Sequence, residues 1–176
     1  MKKTKISRKT AGAEVSWLSP LGWLQVRASS RSLLAVQFRP ERPAGDRPSA
    51  LVVEAIRQLQ EYFSGRRRNF DLPLSPAGTA FQQAVWQALL AIPYGQVRSY
   101  QQVAEAVGNR RACRAVGQAN HANPIAIVIP CHRVIGATGA LVGYGAGLER
   151  KERLLRFEKE HPPPSGGRSA VRAVGG

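Results

Sequence analysis

The sequence predicts an α+β fold: a small N-terminal α/β lobe with a short antiparallel sheet, then a mainly helical C-terminal lobe containing a winged helix-turn-helix-like element. Three observations carry this. Between Glu14 and Phe38 the apolar residues come in short clusters separated by turn signals, as in strands. From Ala50 onward they recur at helical spacing. At Arg66–Pro76 a basic and then proline-bearing stretch interrupts both patterns and marks a boundary. The chain divides accordingly into a flexible basic arm (residues 1–12), an N-terminal lobe with its connector (13–76), a C-terminal lobe (77–160) and a Gly/Ser/Arg-rich tail (161–176) read as disordered.

In order, Val15, Trp17 and Leu18, then Leu21, Trp23, Leu24 and Val26, then Leu33, Leu34, Val36 and Phe38 predict three strands. Pro20-Leu21-Gly22 and Ser29–Ser32 turn between them. Arg39–Pro48 is a loop. Ser49 can cap a helix over Ala50–Ser64, with Leu51, Ala55, Leu59, Tyr62 and Phe63 facing inward and Gly65 stopping it. Thr79 caps Ala80–Ile92, whose inner stripe is Phe81, Val85, Trp86, Leu89 and Leu90. Ser99 with Gln102 forms a capping box for a helix to about Val107. Gly108-Asn109 turns the chain, and Asn109 can cap Arg110–Asn120; two short helices so joined outline a helix-turn-helix. The last helix is Leu148–Glu160, broken by Pro162-Pro163-Pro164.

The segment Ile125–Ile135, IAIVIPCHRVI, is the centre of interest. Its first five residues predict a short buried strand that Pro130 ends. A thiol, an imidazole and a guanidinium then follow between apolar flanks. One reading is that Cys131 simply packs as a small buried side chain. The other is nucleophile chemistry, which needs a thiolate, a base and a group to orient the base. Cys131 and His132 supply the first two. Glu158 is a candidate for the third, because it breaks the apolar run of Leu154, Leu155 and Phe157; the alternative is a surface pairing with Lys151 or Arg153. The residues alone do not choose.

The chain has 26 Lys and Arg against 11 Asp and Glu, a formal charge of +15, which points to a polyanionic partner such as nucleic acid. Lys2, Lys3, Lys5, Arg8, Lys9, Arg168 and Arg172 lie in the two ends; without them the body keeps a positive excess. Arg111 and Arg114 put charge on the second helix of the pair, and Ala115 helps keep that helix slim enough to approach a phosphate backbone. An ordinary solvated helix face would look similar. Cys113, His121, Cys131, His132 and His161 match no zinc spacing, so no metal is expected. Two cysteines make no disulfide framework, the basic start has no apolar run behind it, and nothing is apolar enough to span a membrane; the expectation is a cytoplasmic protein.

IPCHRVI, with RAVGQANHANP before it and GYGAGLERKERLL after it, resembles the O6-alkylguanine-DNA alkyltransferases. The resemblance runs from about Gly78 to Glu158, includes GTAFQQAVWQALLAIPYGQVRSYQQVA, and keeps several separated motifs in order. In the N-terminal lobe only the layout is similar. The resemblance implies direct-reversal repair of double-stranded DNA containing O6-alkylguanine, with O4-alkylthymine as a further substrate to test. The alkyl group passes once, irreversibly, to Cys131. His132 would deprotonate the thiol through a bridging water, and Glu158 would hold His132. Asn123 would brace the turn that carries the thiol, and Tyr100 would hydrogen-bond a ring nitrogen of the guanine. Arg114 would enter the duplex where the base leaves. Tyr144 would wall the pocket, with the backbone of Val134 and Gly145 at the base edge and Lys151 nearby. Arg111 and Ala115, from the charge and slimness of their helix, are read as further DNA-facing positions. The resemblance implies no cofactor and a monomer, with cooperative binding along DNA left open.

The sequence departs from the family's pattern in three places. Arg110 stands where a proline is common. Gly145-Ala146 replaces a hydroxyl- or Arg-bearing pair, which leaves only backbone contacts to the base there. Some members hold zinc in the N-terminal lobe; this lobe has neither Cys nor His, so none is expected. Two other readings compete: a relative that grips alkylated guanine without chemistry, which would lack the acceptor cysteine, and a helix-turn-helix regulator, which leaves the Cys-His pair and Tyr100 unexplained.

Overall fold

The computed structural model describes residues 12–162. Of the arm (1–12) and the tail (161–176) read above as flexible and disordered, residues 1–11 and 163–176 lie outside the described residues. Three strands, β1 (Ala13–Ser19), β2 (Gly22–Ala28) and β3 (Leu33–Arg39), form an antiparallel sheet in the order β1-β2-β3. Gly22, at φ 115°, makes the first turn, which closes on the pair Ser19↔Gly22. Alternation puts Leu24, Val26 and Ala28 of β2 inside. Helix α1 (Ala50–Phe63), capped by Ser49 as expected, covers this face. Its buried residues are Val52, Ala55, Gln58, Leu59 and Tyr62, so the inner stripe is turned slightly from the expected one, and Leu51 and Phe63 are only half-buried.

The C-terminal half is α2 (Ala80–Leu90), β4 (Arg98–Ser99), α3 (Tyr100–Ala106), α4 (Cys113–His121), β5 (Val134–Ile135) and α5 (Leu148–Glu160). Thr79 with Gln82, and Ser99 with Gln102, close reciprocal capping boxes. β4 and β5 pair in parallel beside the α3–α4 pair. No helix among the described residues is long and apolar enough to cross a membrane. The apolar side chains of both halves merge in one core that includes Leu24, Leu59, Trp86, Ile125 and Leu154, and β3 touches the segment before the cysteine directly through the bridge Val36↔Ile125.

Two expectations are corrected. α4 starts at Cys113 and not at Arg110, with no side-chain cap. Asn109 instead accepts from the Arg111 amide two residues on, a local turn that holds Arg110 and Arg111 outside the helix. Ile125–Ile129 is buried but is not a strand. Its ladder is cut to isolated bridges because Ile127 sits at φ 73° and the chain folds on itself, Ile129 N–H donating to Ile125 O at 3.0 Å. A β-branched residue in the left-handed region costs about 1–3 kcal/mol, which the surrounding packing must offset. The ends of α1, α2 and α3 fall one or two residues short of the expected ones, the last residues serving as caps or turns.

Candidate active site

After Pro130 the chain makes a single 3-10 turn, Cys131–Arg133, between the buried Ile125–Ile129 segment and β5. A 3-10 turn of three residues projects its side chains in three directions. Cys131 reaches a cavity of about 210 Å³, whereas His132 and Arg133 point into the protein toward α5.

The inner face of α5 is unusual: Lys151, Leu154 and Glu158, at i, i+3 and i+7, are its buried residues. Glu158 is 1 % exposed. Its Oε1 accepts from Tyr62 Oη at 2.8 Å, His132 Nε2 at 2.9 Å and Arg133 Nη2 at 2.9 Å; its Oε2 accepts from Gly95 N at 2.9 Å and Arg133 Nε at 3.0 Å. Burial by itself would raise its pKa, but His132 and Arg133 outweigh that, and the carboxyl is held well below the usual range. The surface-pairing alternative for Glu158 is thereby excluded. Burial lowers the pKa of His132 despite the carboxylate beside it. The imidazole is thus neutral, with its proton on the Nε2 that faces Glu158, and its Nδ1 is a buried acceptor without a protein partner among the described residues.

Asn123, just past α4, ties the turn together. Its Nδ2 donates to Ile129 O at 2.9 Å and to Cys131 Sγ at 3.0 Å, and its Oδ1 accepts from Ile125 N at 3.0 Å. Asn120 Nδ2 donates to Cys131 O at 3.2 Å. Burial pushes the Cys131 thiol up to about 11, against the pull of Asn123 and the Lys151 charge. At rest the sulfur is therefore a thiol. Lys151, which burial lowers to about 8, donates to Val142 O at 2.6 Å and lies 5.7 Å from the Tyr100 ring centre. Tyr100 donates to the same stretch, to Val142 O at 2.9 Å or Gly143 O at 3.0 Å. Gly143 is required there, since a Cβ would stand 2.9 Å from the Tyr100 hydroxyl oxygen. Gly145 is required for a similar reason: a Cβ would lie 2.9 Å from the His121 carbonyl oxygen.

The structure groups Cys131, Asn123, Tyr144 and Gly145 around one cavity, with His132 and Glu158 behind it. Tyr100 and Arg114 line a separate, more open groove of about 470 Å³ along α4, with Cys113 and Gly117; His121 borders both spaces. Ala115 is half-buried on α4, and Arg111 is exposed in the turn before it. Val134 is not in the cavity lining; it is buried on β5 opposite Arg98. Sequence reasoning assigned no role to Tyr62, Gly95, Asn120 or Arg133. Arg133 was visible as a charge between apolar flanks, Asn120 as a polar residue four after Val116 on the inner face of α4, and Tyr62 only as an inward-facing residue of α1 with no partner assigned; nothing in the sequence marks Gly95. Among the described residues five buried side-chain polar atoms lack a partner. Two, Asn120 Oδ1 and Tyr144 Oη, belong to residues lining the cysteine's cavity, and a third is His132 Nδ1 beside it. Such a concentration suits a polar ligand. No group of three or more metal-ligating side chains occurs among the described residues.

Comparison with known proteins gives a consistent result. Residues 80–160 match the family model "6-O-methylguanine DNA methyltransferase, DNA binding domain", and residues 17–76 match "6-O-methylguanine DNA methyltransferase, ribonuclease-like domain". The chain is 46% identical over 149 residues to a methylated-DNA--protein-cysteine methyltransferase of Methanosarcina barkeri, covering 81% of this chain and 94% of that one. A protein of the same name from Mycobacterium leprae is 49% identical over 146 residues, covering 80% and 88%. Among solved structures, Mycobacterium tuberculosis OGT in complex with DNA superposes with a TM-score of 0.77 at 45% identity, covering 84% of this chain and 93% of that one.

Proposed function

The chain belongs to the O6-methylguanine-DNA methyltransferase family, and on that premise we propose that it repairs DNA by taking the alkyl group of O6-alkylguanine onto its own Cys131. It is a methylated-DNA–protein-cysteine methyltransferase that acts on DNA. The acceptor site is the cavity at Cys131. The observation that carries this assignment is the buried chain Glu158–His132 beside a thiol held by Asn123.

In this reading His132 Nδ1 takes the Cys131 proton through a water, and Glu158 steadies the imidazolium that results. The thiolate attacks the carbon on O6, the carbon–oxygen bond breaks, and the guanine leaves as an anion that takes up one proton at a ring nitrogen, balanced by the cysteine's proton, which the imidazolium returns to water. Tyr100 assists the leaving group by exchanging its Val142 carbonyl for that nitrogen. The product is a thioether, which has no easy route back, so each molecule acts once and needs no cofactor. The reacting carbon lies inside a stacked duplex, so the base must be drawn out, at a few kcal/mol. Arg114, exposed on α4 in the adjoining groove, fills the gap left behind. Two free cysteines suit the cytoplasm, where thiols stay reduced.

The test is intact mass after mixing with duplex DNA containing O6-methylguanine. The protein gains one methyl, located on Cys131 by peptide mapping. Cys131→Ser gains none, and Cys113→Ser gains it normally. A binding module or a regulator would gain no mass, and transfer that survives in Cys131→Ser but not in Cys113→Ser would reverse the assignment.

A further inference from the structure

Among the described residues the cavity at Cys131 is lined by a single permanently charged side chain, Arg39, and it comes from the end of β3 in the N-terminal lobe. Its Nε and Nη2 donate to Gln25 Oε1 at 3.0 and 2.8 Å, and Nη2 also donates to Gln37 Oε1 at 3.0 Å. Both partners are neutral amides. Among the described residues no carboxylate lies within ion-pair range of Arg39: the acid closest in this network, Glu14, meets Gln25 Nε2 at 3.4 Å and is itself paired with Arg47 at 2.7 Å. A guanidinium has five N–H donors in a rigid fork. Three are engaged, and the two on Nη1 have no protein acceptor among the described residues. The amides therefore fix the plane of the fork without neutralising its charge.

An uncharged purine entering the cavity has no need of a full positive charge. The phosphodiester it brings to the cavity mouth does, and two parallel N–H groups match two phosphate oxygens. Arg39 does not line the groove that holds Arg114, so it is set apart from the surface that α4 offers to a stacked duplex. We propose that Arg39 binds a backbone phosphate of the nucleotide drawn out toward Cys131, so that the N-terminal lobe grips DNA once a base has left the stack. This rests on the alkyl-transfer reading above.

The experiment measures affinity against salt for two duplexes, undamaged and carrying O6-methylguanine, in a Cys131→Ser background that stops transfer. One phosphate contact contributes about 0.9 to the slope of log affinity against log salt. Arg39→Gln should lower that slope by about this amount on the lesion duplex and by less on the undamaged one. Lesion affinity should fall about tenfold to a hundredfold, the range for a hydrogen bond to a charged group. Gln25→Leu keeps the charge but loosens the fork; it should weaken lesion binding while the slope stays. An unchanged slope on the lesion duplex, or equal drops on both duplexes, overturns the proposal. Failure of the unmodified protein to gain a methyl would instead overturn the alkyl-transfer reading, so the two failures are distinguishable.

Discussion

Replacing Glu158 by Gln keeps the side chain's shape and removes its charge. The carboxylate accepts from five donors: Tyr62 Oη, His132 Nε2 and Arg133 Nη2 on Oε1, Gly95 N on Oε2, and Arg133 Nε shared between the two oxygens. An amide has one acceptor oxygen, so its NH2 must face donors: either Gly95 N and Arg133 Nε, or Tyr62, His132 and Arg133 Nη2. Arg133, 5 % exposed, becomes a buried cation with no counter-charge. Stranding one partner of a buried pair costs about 3–5 kcal/mol. Against a total of about 5–15 kcal/mol the variant folds but is weakened. At about 2–4 °C per kcal/mol its melting temperature should fall by roughly 6–20 °C. Chemistry should suffer separately. The imidazolium formed on His132 loses a charge-assisted bond worth about 1.5–3 kcal/mol, so single-turnover methyl transfer should slow about tenfold to a hundredfold. Adding Arg133→Met removes the stranded cation. The double variant should regain several degrees, though not all, because Ile92 O loses the Arg133 Nη1 donor at 2.7 Å. It should regain none of the rate. Melting within about 2 °C of the parent for Glu158→Gln, or a double variant that melts no higher than the single, would refute this account.

Further predictions concern the Cys131 thiol, Arg114 and Tyr100. With the Cys131 thiol pushed up to about 11, labelling of that residue by iodoacetamide should climb from pH 8 to about 11, read by peptide mass; half-maximal labelling near pH 7 would contradict the buried, protonated thiol. Since a raised folded value favours the protonated form, this group's contribution to stability is complete below its ordinary value near 9 and lost as pH rises through about 11, roughly 3 kcal/mol in all, which urea titrations at pH 8 and 11 with a Cys131→Ser control would measure. Arg114→Ala should slow transfer from duplex DNA about tenfold per 1.4 kcal/mol of lost support, and should slow transfer from free O6-benzylguanine far less. Tyr100→Phe should slow both substrates alike, and equal losses for Arg114→Ala would remove its gap-filling role.

The sequence by itself determined the features that depend on near neighbours. Ser49, Thr79 and Ser99 cap their helices because a cap needs only an amide two or three residues on. The three strands and α5 follow from periods of two and 3.6 residues, which one stretch of chain already contains. The acceptor motif was legible because its residues are contiguous, and Glu158 stood out as a candidate because it interrupts an apolar run, although only its burial in the fold excluded a surface pairing. Only the tertiary structure decided what those residues meet. Tyr62 reaches Glu158 across 96 positions, Arg133 across 25, and Arg39 comes to the Cys131 cavity from a strand in the other lobe. Propensity is silent about such pairings, since each is made only when the shared core has closed. The same closure overrode one local signal, and a competing local turn overrode another. Ile125–Ile129 has strand composition but is bent at Ile127, because the turn that carries Cys131 must meet both Asn123 and β3. Asn109 has a capping side chain but spends it on Arg111, which leaves α4 to begin at Cys113.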